Sequence, residues 1–198
     1  MNIGIDFDNT IADYNNVFAP IAKKLGFLNK SFNGGKSAVS RAIKSQPNGE
    51  KKWQTLQGQV YGKYLWMANL MPGADTFLKT CKNNNVNISI VSHKTKFGHY
   101  DISKTNLHDV AVAWMENKEF FTERGFKIKP RNIIFAKTQA EKIFYIKNNK
   151  FTYFIDDLPE VLDEVNLSPH IKTFLFAKNR LQNISSKNWM EINEIVFG

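Results

Sequence analysis

Residues 3–12, Ile3-Gly4-Ile5-Asp6-Phe7-Asp8-Asn9-Thr10-Ile11-Ala12, set two acids at the end of an isoleucine-rich apolar run. A short run of this kind reads as a buried parallel strand, and four others share the pattern: Asn87 to Val91, Asn132 to Phe135, Phe151 to Ile155 and Thr173 to Phe176. Helical segments separate them. One opens at Pro72-Gly73-Ala74 and fades at Asn83 to Asn85; another starts at Ser103 and stops by Gly125. Thr138 caps a third, Pro159 sits just inside a fourth, and Asn188 with Glu191 forms a capping pair for the last. Alternation of strand and helix predicts an α/β fold with a mainly parallel sheet.

One segment breaks the alternation. From Tyr14 to Leu70 no strand is predicted, whereas Phe18, Ile21, Ala22 and Leu25 recur at helical spacing, as do Trp53, Leu56, Val60, Tyr64 and Met67. The expected organisation is a core of residues 1–13 and 72–198 with a small all-helical insertion over 14–71. That insertion also carries the charge. Between Tyr14 and Pro72 nine basic residues face the single acid Glu50, while the rest of the chain has 18 basic and 17 acidic residues, out of a net charge of +9. So uneven a distribution points to an anionic partner, a phosphorylated small molecule or a nucleic acid.

In an open parallel sheet, ligands bind beyond the carboxyl ends of the strands, where Asp6 and Asp8 lie. Alternation turns both acids to one side and Phe7 to the other. Two carboxylates about 5 Å apart repel by roughly 3 kcal/mol at an effective dielectric near 20. A second acidic pair, Asp156-Asp157, ends another strand, and four carboxylates around one crevice call for a cation. All-oxygen ligation suits magnesium, which also accepts a phosphate oxygen. Ser92 follows the Asn87 to Val91 strand and offers a hydroxyl beside the backbone amides of His93 and Lys94. Lys142 and Lys137 are the two candidates for an ammonium that neutralises carboxylate and phosphoryl oxygen. Lys142 has the better context, with Ile143 and Ile146 at helical spacing after it.

The order DxDNT, an apolar strand ending in serine, a lysine, and an apolar strand ending in Asp-Asp resembles the haloacid dehalogenase superfamily from Asp6 to Asp157. The resemblance implies a Rossmann-like core, with residues 14–71 in the place of the helical cap that many members use to select substrate. It implies that Asp6 is a nucleophile forming an aspartyl-phosphate, and that Asp8 is the acid and base for leaving group and water. Thr10 would hold the turn, Ser92 would bind phosphate, and Asp156 and Asp157 would join Asp6 and Asp8 at Mg2+. An acid two residues beyond the nucleophile marks the phosphatase-like members, so the expected reaction is magnesium-dependent hydrolysis of a phosphate monoester. A nucleic-acid end phosphatase and a non-catalytic phosphate-binding protein of the same fold are the alternatives.

Other signals carry less. Gly34-Gly35-Lys36-Ser37 lacks the first glycine of a P-loop and follows no apolar strand, so it reads as a loop and helix start. His93, His99 and His108 have no zinc-ligand spacing with the lone Cys81. Hydrophobic residues at 42% and charged residues at 23% are ordinary globular usage, which excludes a disordered chain. The absence of a basic or apolar leader and of a membrane-length apolar run leads to the expectation of a cytoplasmic protein.

Overall fold

The Ile3-Gly4-Ile5 run forms β1 (Asn2–Ile5), with Ile3 and Ile5 fully buried. The computed structural model describes residues 1–101, 103–166, 168–177 and 187–198. β4 (Asn87–His93) and β6 (Tyr153–Asp156) flank β1, and β5 (Ile133–Ala136) and β7 (Lys172–Leu175) lie outside them in the order β5-β4-β1-β6-β7. Every pairing is parallel, in register Ile5 with Ile90 and Ile155. A Cβ at Gly4 would fall 2.5 Å from the Phe154 ring, so glycine is what lets that aromatic cross the central strand. The sheet is thus the parallel α/β architecture that the strand and helix alternation predicts.

The helices follow from their caps. α4 (Ala74–Asn83) leads into β4. α6 (Gln139–Asn148) begins where the Thr138 hydroxyl accepts the Glu141 N–H, and α7 (Pro159–Val165) carries its proline in the first turn. α8 (Trp189–Phe197) has the reciprocal Asn188 and Glu191 capping box. The chain steps outward from β1 to β4 and β5 and then returns past β1 to β6 and β7, and with the right-handed crossovers that parallel strands favour this sets α4 on one face of the sheet and α6 and α7 on the other. Val91, Ile146, Phe151, Phe154, Val161 and Val165 fill the α6–α7 side, while Phe77 of α4 packs on Trp189 of α8 at 4.8 Å between ring centres.

The chain divides into two compact units. The sheet unit comprises Met1–Ala12, Leu70–Lys94 and Glu116–Gly198; the helical unit comprises Asp13–Asn69 and Thr95–Met115. Short strands β2 (Ala12–Asp13) and β3 (Asn69–Leu70) pair as a two-stranded ribbon at the first two crossings. Within the helical unit, α1 (Phe18–Lys24) buries Phe18, Ile21 and Ala22, α2 (Lys36–Lys44) follows, and α3 (Gly49–Tyr61) buries Trp53, Leu56 and Val60, with Phe18 stacked on Trp53 at 5.2 Å. α3 ends before Tyr64 and Met67, which the sequence places on the same stripe. Gly35 is the N-cap of α2, a plain helix start.

Segment 95–115, which the sequence reading assigns to the core, groups with the helical unit. Its helix, α5 (Leu107–Asn117), also starts later than Ser103. The Ser103 N–H and hydroxyl are both spent on Asp101, and it is the Asn106 side chain that accepts the His108 N–H in the first turn. No helix among the described residues is long and apolar enough to cross a membrane.

Candidate active site

The reversal between β1 and β6 puts the carboxyl ends of those strands at the topological switch point, where a crevice opens in folds of this kind. Asp6 follows β1 and Asp156 ends β6. The Asp6 N–H donates to Ile155 O at 2.9 Å, so the sheet ladder itself sets the two acids side by side. Beyond Asp6 the chain turns tightly: Ile11 and Ala12 N–H both donate to Phe7 O, and Asn9 takes a left-handed φ of 64°, which asparagine tolerates better than most residues.

Lys142 joins the acids. It lies on the α6 face that also buries Ile146, and its ammonium is 2.6 Å from Asp6 Oδ1 and 2.7 Å from Asp156 Oδ2. All three side chains are almost wholly shielded from solvent, a placement that charged groups adopt only when paired. The Thr10 hydroxyl donates to Asp6 Oδ2 at 3.3 Å, and Thr10 O is itself held by the Trp189 indole N–H. Lys137 is exposed, with its backbone N–H on Glu141, and takes no part in these contacts.

Burial pushes the Asp6 carboxyl well above its usual range; Lys142 pulls it down, and Asp156, Asp157 and Asp8 push it up again. Burial likewise raises Asp156 against the pull of Lys142. Burial disfavours the Lys142 ammonium too, yet Asp6 and Asp156 outweigh that and hold it above the ordinary lysine value. The carboxylates are therefore crowded for their own charge, a condition that a cation relieves.

One oxygen from each of Asp6, Asp156 and Asp157 lies within 4.8 Å of the others. Formally, Asp6, Asp8, Asp156 and Asp157 against Lys94 and Lys142 leave two negative charges unbalanced, which one divalent cation would neutralise. Hard oxygen donors and that charge fit magnesium. The Asp8 side chain is outside this acidic group and is turned to Lys94 instead.

The end of β4 supplies the remaining groups. Ser92 is buried and its Oγ has no hydrogen-bond partner among the described residues, an unmet valence that costs about 1–3 kcal/mol unless a ligand fills it. His93, on the opposite side of the strand, is exposed and makes none of the cluster's polar contacts. The Lys94 backbone N–H donates to Ala136 O at 3.0 Å, so it continues the sheet and is not the phosphate donor the sequence reading offers. Its side chain does something the sequence reading did not assign: the ammonium lies 2.8 Å from Asp8 Oδ2 and 3.1 Å from Oδ1. A lysine just past a strand neighbouring the DxD strand was the available signal.

Known proteins share this arrangement of strands and helices. No family model matches the chain. It is 24% identical over 204 residues to a Bacillus cereus protein named "Putative nucleotidase", covering 99% of this chain and 98% of the relative. An HAD-superfamily hydrolase from Ehrlichia chaffeensis superposes with a TM-score of 0.51 at 17% identity, over 98% of this chain and 95% of that one. A haloacid dehalogenase-like family protein from Streptococcus pneumoniae gives 0.61 at 13% identity, over 98% and 97%. Protein Tyrosine Kinase A of Mycobacterium tuberculosis gives 0.60 at 13% identity, over 100% and 98%. The chain therefore has the fold of HAD-superfamily hydrolases.

Proposed function

We propose that this chain is a magnesium-dependent phosphatase that hydrolyses a phosphate monoester, a small phosphorylated metabolite or a nucleotide, through an aspartyl-phosphate on Asp6. A fold does not by itself fix a reaction, and one neighbour of this fold is named a kinase, so the reading rests on the site. The observation that carries it is a buried Asp6 carboxylate aligned by Lys142 and Thr10, with an acid two residues on and an unpartnered Ser92 hydroxyl ending the next strand.

Asp6 attacks phosphorus through a carboxylate oxygen, and the bond from phosphorus to the ester oxygen breaks. Asp8 gives the departing oxygen its proton. Water then attacks the phosphorus of the acyl phosphate, Asp8 takes the water's proton, and the bond to Asp6 breaks to release phosphate. Lys142 keeps Asp6 oriented in both halves, and Ser92 donates to a phosphoryl oxygen. Asp6, Asp156 and Asp157 would hold magnesium, which when bound offsets the charge of carboxylate and phosphate.

The helical unit, with 11 basic and 4 acidic residues, acts in this reading as the substrate-selecting cap and draws in an anion. The nucleotidase name of the Bacillus cereus relative supports including nucleotides among the substrates. The test is phosphate release from nucleoside monophosphates, sugar phosphates and phosphorylated oligonucleotides, with magnesium and with chelator. Magnesium-dependent release from the small esters is expected. Release that persists in excess chelator contradicts the metal assignment, and release confined to oligonucleotides with steep loss in salt replaces the substrate class with nucleic-acid ends.

A further inference from the structure

The Lys94–Asp8 pair is not needed to hold the sheet together. Lys94 is already tied to β5 by its backbone, and Asp8 belongs to a turn closed by its own main-chain bonds. Yet the Lys94 side chain is only 3% exposed, and desolvating an ammonium there carries a penalty that ion pairing only partly returns. Its contacts are specific. The ammonium spans both oxygens of Asp8, at 2.8 and 3.1 Å, which fixes the plane of the carboxyl group and not merely its position. The Phe7 ring, between the two acids in sequence and fully buried, lies 5.5 Å from the same ammonium and keeps it from swinging away. The two lysines thus divide the site: Lys142 bridges Asp6 and Asp156, and Lys94 holds Asp8.

We propose that Lys94 is a positioning residue that aims the Asp8 carboxyl at the leaving-group oxygen and then at the attacking water. The inference rests on the phosphatase reading above and adds a residue to it. Asp8 handles a proton twice at one place: it gives the proton to the ester oxygen as the bond to phosphorus breaks, and takes one back from water as the new bond forms. A carboxyl free to rotate would meet neither partner reliably, whereas one pinned through both oxygens on a rigid strand end keeps its geometry across both halves. Lys94 itself does not touch the phosphoryl group in this account, so in the first half-reaction substrates that need little protonation should hardly notice its loss, whereas the second half, shared by all substrates, should slow for each alike.

The experiment compares wild type, Lys94→Met, Lys94→Arg, Asp8→Asn and the Lys94→Met/Asp8→Asn double variant on two substrates, with folding checked by circular dichroism. p-Nitrophenyl phosphate has a leaving group that departs without a proton; 2-glycerophosphate does not. Lys94→Met is expected to slow the first half-reaction, read as single-turnover ester cleavage, about 100-fold on 2-glycerophosphate and less than about 5-fold on p-nitrophenyl phosphate, and to slow breakdown of the shared aspartyl-phosphate by the same factor whichever ester formed it. Lys94→Arg should recover most of the difference, and the double variant should be no worse than Asp8→Asn, because both changes act through one carboxyl. Equal losses on the two substrates in the first half-reaction, or multiplying losses in the double variant, overturn the proposal while leaving the phosphatase reading intact. If Lys94→Met does not fold, Lys94→Gln takes its place under the same criteria. A wild-type protein that turns over neither ester overturns the phosphatase reading and this inference with it.

Discussion

The sheet unit and the helical unit use charge in opposite ways. The sheet unit is almost balanced, 16 basic residues against 14 acidic, and it buries Lys142 in contact with Asp6 and Asp156, and Lys94 in contact with Asp8. The helical unit has 11 basic residues against 4 acidic and wears them outside: Lys44 pairs with Glu50 at the surface, and Lys24 and Lys51 rest on the Tyr64 and Tyr100 rings. Buried charges interact at short range in a poor solvent, so each is coupled to its partner and hardly to salt. Exposed like charges add to a field that falls off within about 10 Å at 0.1 M salt. One arrangement suits bond making, the other capture, and substitutions in the two units should separate accordingly.

Lys142→Met should have the largest effect. It strands Asp6 and Asp156 in the interior, so a loss of about 3–5 kcal/mol in unfolding free energy is expected in chelator, together with loss of turnover. Denaturant unfolding checks it; a change below about 1 kcal/mol would show that the buried charges are not coupled as described. Ser92→Ala comes next and should split stability from function. KM is expected to rise about tenfold while stability holds or improves slightly, since the hydroxyl removed has no partner. Clear destabilisation would assign that hydroxyl to the fold.

Lys30→Glu combined with Lys51→Glu, both exposed in the helical unit, should lower kcat/KM about threefold at low salt and leave kcat alone, the difference closing as salt rises. A salt-independent fall in kcat would erase the contrast between the units. The smallest effect is at Cys81, fully buried on α4 with its thiol pushed by burial up to about 12. Native protein at pH 8 should barely react with a thiol reagent, and the helical-unit substitutions should not change that, whereas Lys142→Met should speed labelling by opening the sheet unit.

What the sequence made legible was local. The Ile3-Gly4-Ile5 strand, the Thr138 cap, the proline start at Pro159 and the Asn188–Glu191 box all depend on neighbours within a turn, and they stand where their patterns put them. Asp6, Asp156 and Lys142 were legible as types at strand ends and on a helix face, and the parallel sheet then brought them together. Three features were not legible, the first through a competition between near neighbours and the other two through contacts distant in sequence. Asn106 replaces Ser103 as the start of α5 because Asp101 claims the serine. Segment 95–115 joins the helical unit through packing that no periodicity announces. The Lys94 side chain meets an acid 86 positions away, a pairing set by the order of strands and not by spacing.

The central claim is that Asp6 carries the phosphoryl group. Acid-quenched protein caught during turnover of phosphoryl-labelled substrate, digested and mapped, tests it directly. The label is expected on the peptide containing Asp6, removable by hydroxylamine as an acyl phosphate is, and absent from Asp6→Asn, whose turnover should fall at least about 1000-fold, roughly 4 kcal/mol in barrier. Label on another residue, or an Asp6→Asn protein that keeps more than about a tenth of wild-type turnover, would contradict it.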